Sequence, residues 1–301
     1  MGVARKATSI SIVPPGLGRA IAFLFGPGRT LTLAVLVVVA FIGGIVAVWR
    51  RVEKHVESSP EYLVRVDQIT ITPPPEWVRS NVRDEAFRNA NSSDRPLSSL
   101  DDNLAERIHI AFMLHPWVAR ATVTKCAGAK VRVDIEYRQP ACVVEVPAGQ
   151  TVDLLPVDNQ GVWLPGEDFS QKQKESYPCL VGIDQRPIQP VGHAWGDARV
   201  VDGAAIAAAL LPVWQPLKLY RIRCISPTVA GARPTFELYT RTGTKIVWGS
   251  AGGGAPFGSA GEPSIEEKVA RLQQYVAAHG SLDAGPPLDV RKLPAVKVAR
   301  S

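Results

Sequence analysis

Five histidines and four cysteines are the residues best suited to hold a metal or attack an electrophile. His55, His109, His115, His193 and His279 have no His or Cys neighbour at metal-ligand spacing. Cys126, Cys142, Cys179 and Cys224 are never closer than 16 residues, which excludes a CxxC metal or redox motif. In an oxidising compartment four cysteines allow three pairings, and buried unpaired thiols are an equal alternative. No GxSxG, HExxH or P-loop occurs, and the glycine-rich stretch 249–261 (GSAGGGAPFGSAG) is not followed by the Lys-Ser or Lys-Thr that a phosphate cradle uses. No carboxylate pair sits where burial would split its two pKa values. His109, next to Glu106 on a helical pattern, reads as part of a solvated face. The expectation is no catalytic residue, no metal and no cofactor.

Charge points the same way. The net charge is +6, yet beyond residue 50 the lysines and arginines are scattered among acids with no basic run. Six tyrosines and seven tryptophans are spread among core positions and form no stacking platform, so no nucleic-acid partner is expected. With 46% hydrophobic and 21% charged residues, the chain is globular.

Residues 31–48 (LTLAVLVVVAFIGGIVAV) carry no charge or amide. Eighteen helical residues rise about 27 Å, close to the hydrocarbon thickness of a bilayer. Trp49 suits the interface, and Arg50 and Arg51 end the span. A cleaved signal peptide would have a shorter apolar run and a small-x-small site behind it. The reading is a cytoplasmic tail (1–30), a retained transmembrane helix (31–49) and a linker (50–61). The long remainder would lie on the far side, in the periplasm of a bacterium.

Beyond the linker the pattern is α+β. Residues 62–72 alternate as a strand, 77–87 and 100–114 read as helices, and 117–125 and 130–137 alternate as two further strands, a β-α-α-β-β order. Ser98 and Asp101 are candidate caps for the second helix, and Leu104, Ile108, Ala111 and Phe112 are its apolar stripe. A β-rich region follows, with strands at 142–146, 151–155, 162–164, 219–225, 235–240 and 245–248 and an alanine-rich helix at 198–211. Near the end, Ser264-x-x-Glu267 reads as a capping box for a helix with Ile265, Val269, Leu272 and Val276 on one stripe and Gly280 at its close. A terminal strand is expected at 288–298.

Several segments resemble the FtsQ/DivIB family of bacterial cell-division proteins. They are His115-Pro116-Trp117-Val118, the run from Val133 to Ala141 (VDIEYRQPA), Val157-Asp158-Asn159-Gln160-Gly161 and Tyr177-Pro178-Cys179-Leu180-Val181-Gly182. Further along, Lys245-Ile246-Val247-Trp248-Gly249 and Leu288-Asp289-Val290-Arg291 flank the last helix. Residues 183–195 and 249–261 stand as insertions against that pattern, and Lys292 replaces an aromatic residue found in some members. The resemblance implies a POTRA domain at 62–139 and an FtsQ-type β-domain at 140–301. It implies no enzymatic activity. The implied role is a scaffold at the division septum of the inner membrane that binds FtsB- and FtsL-like coiled-coil partners, with other division proteins as possible contacts, and links assembly to septal peptidoglycan synthesis. Two alternatives are a membrane-anchored POTRA-type module for transport or envelope assembly, and an anchored cell-wall enzyme.

The expected partner site is the last strand, where an exposed edge offers backbone groups to an incoming chain. Its candidate residues are Leu288, Asp289, Val290, Arg291, Lys292 and Val296. Pro294 has no N–H and is expected to interrupt the pairing.

Overall fold

The computed structural model describes residues 29–57, 61–92, 96–226, 233–252, 262–283 and 287–294. The chain divides between Leu63 and Val64 into two units. In the first, Arg29–Glu57 form one continuous helix, α1. Its segment Leu33–Arg51, 19 residues, is long and apolar enough to cross a membrane. Every side chain in that segment is exposed, Phe41 to 68% and Trp49 to 69%. Apolar surface left so bare is costly in water and stable in hydrocarbon.

The second unit contains two sheets. The smaller joins β1 (Ile69–Ile71), β2 (Val118–Lys125) and β3 (Val131–Tyr137) in the order β1-β3-β2. β1 runs parallel to β3, with Ile69 opposite Val131, and β2 runs antiparallel to it, with Ala121 opposite Ile135. Val131, Val133 and Ile135 bury one face of β3, as their period of two requires. Helices α2 (Val82–Ala90) and α3 (Leu104–Met113) contribute Val82, Ala86, Leu104, Ile108, Ala111 and Phe112 to this core.

The expected strand 62–72 is cut to Ile69–Ile71. Val66–Gln68 form a 3-10 turn in which the Arg65 N–H donates to Gln68 Oε1 (2.9 Å) and Gln68 N–H donates to Arg65 O (3.0 Å). Local bonds of this kind compete with a sheet ladder. The helix expected at 77–87 begins only at Val82, because Asn81 caps it by accepting from the Asp84 N–H. The helix expected at 100–114 starts at Leu104. Asp101 does not cap its first turn from the N-cap position; it accepts from Asn103 N–H and pairs with Arg107.

The larger sheet has seven strands in the order β10-β9-β8-β7-β6-β4-β5. Its strands are β4 (Pro140–Ala148), β5 (Thr151–Asp158), β6 (Cys179–Val181), β7 (Leu219–Ile225), β8 (Thr235–Thr240), β9 (Lys245–Gly249) and β10 (Leu288–Asp289). A short helix α4 (Gln171–Ser176) precedes β6, and α5 (Ala198–Leu210) and α6 (Ile265–His279) pack against the sheet. One cross-strand row, Val144, Leu180, Ile222, Leu238 and Ile246, is in register from β4 to β9, and each of its side chains is fully buried. β6 was not expected from the pattern, being three residues long and entered through Pro178. Residues 162–164 make only isolated bridges, Val157 to Trp163 and Val162 to Ala194. The segment 183–195 is folded back along them: Trp163 N–H donates to His193 O (3.0 Å), and Trp195 is buried in the core.

The two sheets share a polar seam. Asp168 is buried and accepts from Trp117 Nε1 (2.6 Å), Ser80 Oγ (3.1 Å) and the Arg79 N–H (3.4 Å). Arg138 pairs with buried Asp158 at 2.8 Å, and its carbonyl accepts from Trp77 Nε1. Leu164 and Phe169, from beyond β5, complete the core of the smaller sheet.

Two predictions follow from this packing. Leu104→Ala removes a fully buried side chain and lowers the stability of the 64–301 unit by about 2–5 kcal/mol. An unchanged urea midpoint would contradict it. The second concerns His115. It is buried, its Nδ1 accepts from the Trp117 N–H, and its Nε2 lies 3.2 Å from a Glu85 carboxylate oxygen. Burial pushes its pKa below the usual imidazole value, against the opposing pull of Glu85. The native state therefore binds its proton less readily than the unfolded chain. The contribution is full above about pH 6.5 and is lost as pH falls below that toward the depressed native value. His115→Gln shows a shallower loss of stability between pH 6.5 and 5 than the parent, measured by denaturant titration at each pH; equal slopes would refute this.

Candidate partner-binding edge

One margin of the larger sheet is β10, and α6 is the element that positions it. Ser264 Oγ accepts from the Glu267 N–H (3.2 Å) and starts the helix. The reciprocal half of the expected capping box is not made, because the Glu267 carboxylate turns to Arg271 (2.6 Å) one turn on. Leu272 is fully buried, and Ile265, Val269 and Val276 pack against the same core, as their spacing requires.

The same face of α6 carries two buried cations. Lys268 has no exposed side-chain surface; its Nζ donates to Ser250 O (2.8 Å) and Glu262 Oε1 (3.0 Å) and lies 5.4 Å from the Trp248 ring centroid. Burial lowers its pKa, with Glu262 pulling the other way. For Glu262 the partners together outweigh burial. Burial would raise its pKa, but bonds from Ser250 and Lys268 hold it below the usual carboxylate range. Arg271 is 8% exposed and donates through Nη1 to Val290 O (3.3 Å) and Arg291 O (2.9 Å). One guanidinium thus holds two carbonyls just beyond β10.

Gly249, the last residue of β9, is where this network meets the strand. Its φ is +87°, and a Cβ there would lie 1.9 Å from Glu262 Oε1 and 2.7 Å from Arg291 Cδ. Only glycine meets both demands.

The six sequence-predicted residues separate under this geometry. Leu288 and Asp289 form β10, parallel to β9, with Leu288 opposite Ile246 and Asp289 opposite Val247. They are the edge strand. Val290 is fully buried and belongs to the core, so the expectation that it contacts a partner is corrected. The expected strand at 288–298 is corrected too. After two residues the chain enters a 3-10 turn, Val290–Lys292, because Asp289 accepts from the Arg291 N–H and Arg271 takes the next carbonyls. Arg291 forms a two-point ion pair with Asp289 (2.9 and 2.8 Å), which holds the Asp289 carboxyl below its usual range. The Lys292 side chain is 82% exposed. Val296 lies outside the described residues, and so does the rest of the expected strand beyond Pro294.

Lys268, Arg271, Glu262 and Gly249 were not singled out from the sequence. The signal was present for Lys268, which sits three residues after Ile265 and four before Leu272 and so shares their face.

The chain's thiols offer little chemistry. All four cysteines are unpaired. Burial pushes the Cys142 thiol far up, and Cys179 and Cys224 each to about 11. Among the described residues no group of three His, Cys, Asp or Glu side chains converges as a metal site. The edge presents a short strand, a fixed carboxylate–guanidinium pair and one exposed ammonium.

No protein-family model and no curated protein matches this chain.

Two substitutions test the clamp. Gly249→Ala forces a positive φ on a residue with a Cβ and displaces Glu262, at a cost of about 1–3 kcal/mol; a neutral result in thermal denaturation would refute it. Arg271→Leu frees the carbonyls of Val290 and Arg291. Amide hydrogen exchange across 288–293 then accelerates while α6 stays protected, and unchanged exchange there would show that Arg271 does not hold the turn.

Proposed function

We propose that this chain is a non-enzymatic, single-pass membrane scaffold of bacterial cell division, of the FtsQ/DivIB type. In this reading 62–139 is a POTRA domain and 140–301 a β-domain. The tail is cytoplasmic and the bulk periplasmic, and the β10 edge receives an FtsB- or FtsL-like coiled-coil partner at the septum.

The observation that carries this reading is where the motif residues fall. The segments that resemble the family run through β3, β5, β6, β9 and β10 and include the joints at the ends of these strands. Pro140 and Ala141 open β4, the first strand after the smaller sheet. In Val157-Asp158-Asn159-Gln160-Gly161, Asp158 Oδ1 accepts from both the Gln160 and Val162 N–H groups (2.9 and 2.8 Å) and so makes the turn. Gly182, after β6, has φ +88° and would place a Cβ 2.6 Å from Cys224 O. Gly249 closes β9 against Glu262 and Arg291. Residue types demanded by geometry at each joint are a stronger support than similar strands would be.

A second support is mechanical simplicity. A bound coiled coil needs only an open backbone edge and rim charges, and among the described residues β10 pairs on one side alone, with Asp289, Arg291 and Lys292 beside it. Rim charges of this sort tune encounter and orientation, each worth about 0.2–1 kcal/mol.

A fluorescent fusion of the full chain collects at mid-cell before constriction, and depletion of the protein gives filaments. Uniform membrane fluorescence with normal division would overturn the reading. Deleting 287–301 abolishes capture of the coiled-coil partners from membranes while the smaller sheet stays folded, and equal capture by the deleted and intact chains would remove β10 as the site.

A further inference from the structure

The larger sheet has a second edge, on β5, and among the described residues half of that strand's length is uncovered. Asp158 N–H donates to Val162 O (3.1 Å), and Pro156 O accepts from Leu164 N–H (2.8 Å). The even-numbered residues of β5 therefore turn their backbone groups away from β4, since successive residues of a strand alternate. The same alternation puts the N–H and C=O of Val152 and of Leu154 on that outer edge. Among the described residues nothing pairs with those four groups. The covering segment 162–164 stops at Pro165, and the chain turns into a 3-10 turn at Gly166–Asp168. Pro156 fits the arrangement: only its carbonyl needs a partner, and Leu164 supplies it.

Soluble proteins guard free edges with lysine, proline or a covering element. The open stretch here carries Val152, 57% exposed, and the half-buried Leu154. Beside them runs a groove of about 330 Å3, lined by these two residues and by Glu145, Asp153, Gln171 and Lys174. Its charges are unequally matched. Glu145 faces Arg221 at 3.5 Å, and Asp153 pairs with Arg186 at 2.7 Å. The Lys174 ammonium has no carboxylate partner among the described residues. The groove therefore presents two neutralised acids and one available cation.

We propose that the outer edge of β5 at Val152 and Leu154 is a second docking site, which takes an extended acidic segment of a partner protein by strand addition. The incoming backbone bonds the four open groups and continues the row begun by 162–164. Alternate side chains of the partner enter the groove, apolar ones against Val152 and Leu154 and a carboxylate onto Lys174. This site lies at the opposite end of the sheet from β10 and does not depend on what β10 binds.

The test uses the full chain in lipid nanodiscs and a displayed library of random dodecapeptides, with selection against empty nanodiscs. Enriched sequences are expected to alternate apolar residues with Asp or Glu. The selected peptide slows amide exchange at 151–155, and each of Val152→Lys and Lys174→Glu weakens it by about tenfold, since one places a guarding lysine on the edge and the other reverses the groove's free charge. Both side chains lie at the surface, and an unchanged thermal midpoint verifies that the variants fold. Failure to enrich any sequence, enrichment of basic sequences, or protection at 288–292 in place of 151–155 would each overturn the proposal.

Discussion

A buried carboxylate needs donors on every side, and Asp168 finds its donors across a seam between two sheets. It lies in the chain between β5 and α4, yet it accepts from the Trp117 indole, the Ser80 hydroxyl and the Arg79 amide, all from the smaller sheet's half. Separating the halves would break all three bonds to this carboxylate at once. Much else is set by this. Trp117 must stand at the start of β2 with its ring against Phe169, 5.9 Å between centroids, and α2 must begin late because Arg79 and Ser80 are already engaged. Arg138 and Asp158 repeat the device a few residues away.

The legible part of the fold was the part with regular periodicity. Val131, Val133 and Ile135 alternate cleanly, the α6 stripe repeats at helical spacing, and the β8–β9 hairpin turns at Gly243 as its local residues suggest. The overall α+β order and the apolar helix were readable for the same reason. The rest failed where tertiary contacts outweigh local pattern. Residues 62–68 look like a strand, but Gln68 bonds back onto Arg65. β6 is too short to have a period. The C-terminal segment alternates in sequence, yet Val290 is drawn into the core and Arg271, 20 residues earlier than Arg291, takes the carbonyl that a longer strand would have used.

The candidate site was half legible for the same reason. Leu288 and Asp289 could be picked out because a strand follows a capped helix. The groups that hold them could not. Lys268 and Arg271 read as ordinary helix-surface charges and Glu262 as a loop acid, and only the packing reveals that all three side chains are almost fully enclosed. Burying cations is expensive, the more so here because Arg271 Nε is buried with no acceptor among the described residues, so a network of this kind fixes geometry more reliably than it adds stability. Its effect here is to tie α6, the end of β9 and the turn after β10 into one piece, so that the edge is held from behind.

The strand order has a consequence for crowding. Six inter-strand steps separate β10 from β5, and at about 4.8 Å per step the two margins stand about 29 Å apart. That is wider than two helices laid side by side. Ligands seated on opposite margins would neither touch nor compete. They would be held at a separation dictated by the number of strands, insensitive to linker length. Within such a frame the spacing of an assembly becomes a property of the backbone itself, and only gain or loss of a whole strand would change it.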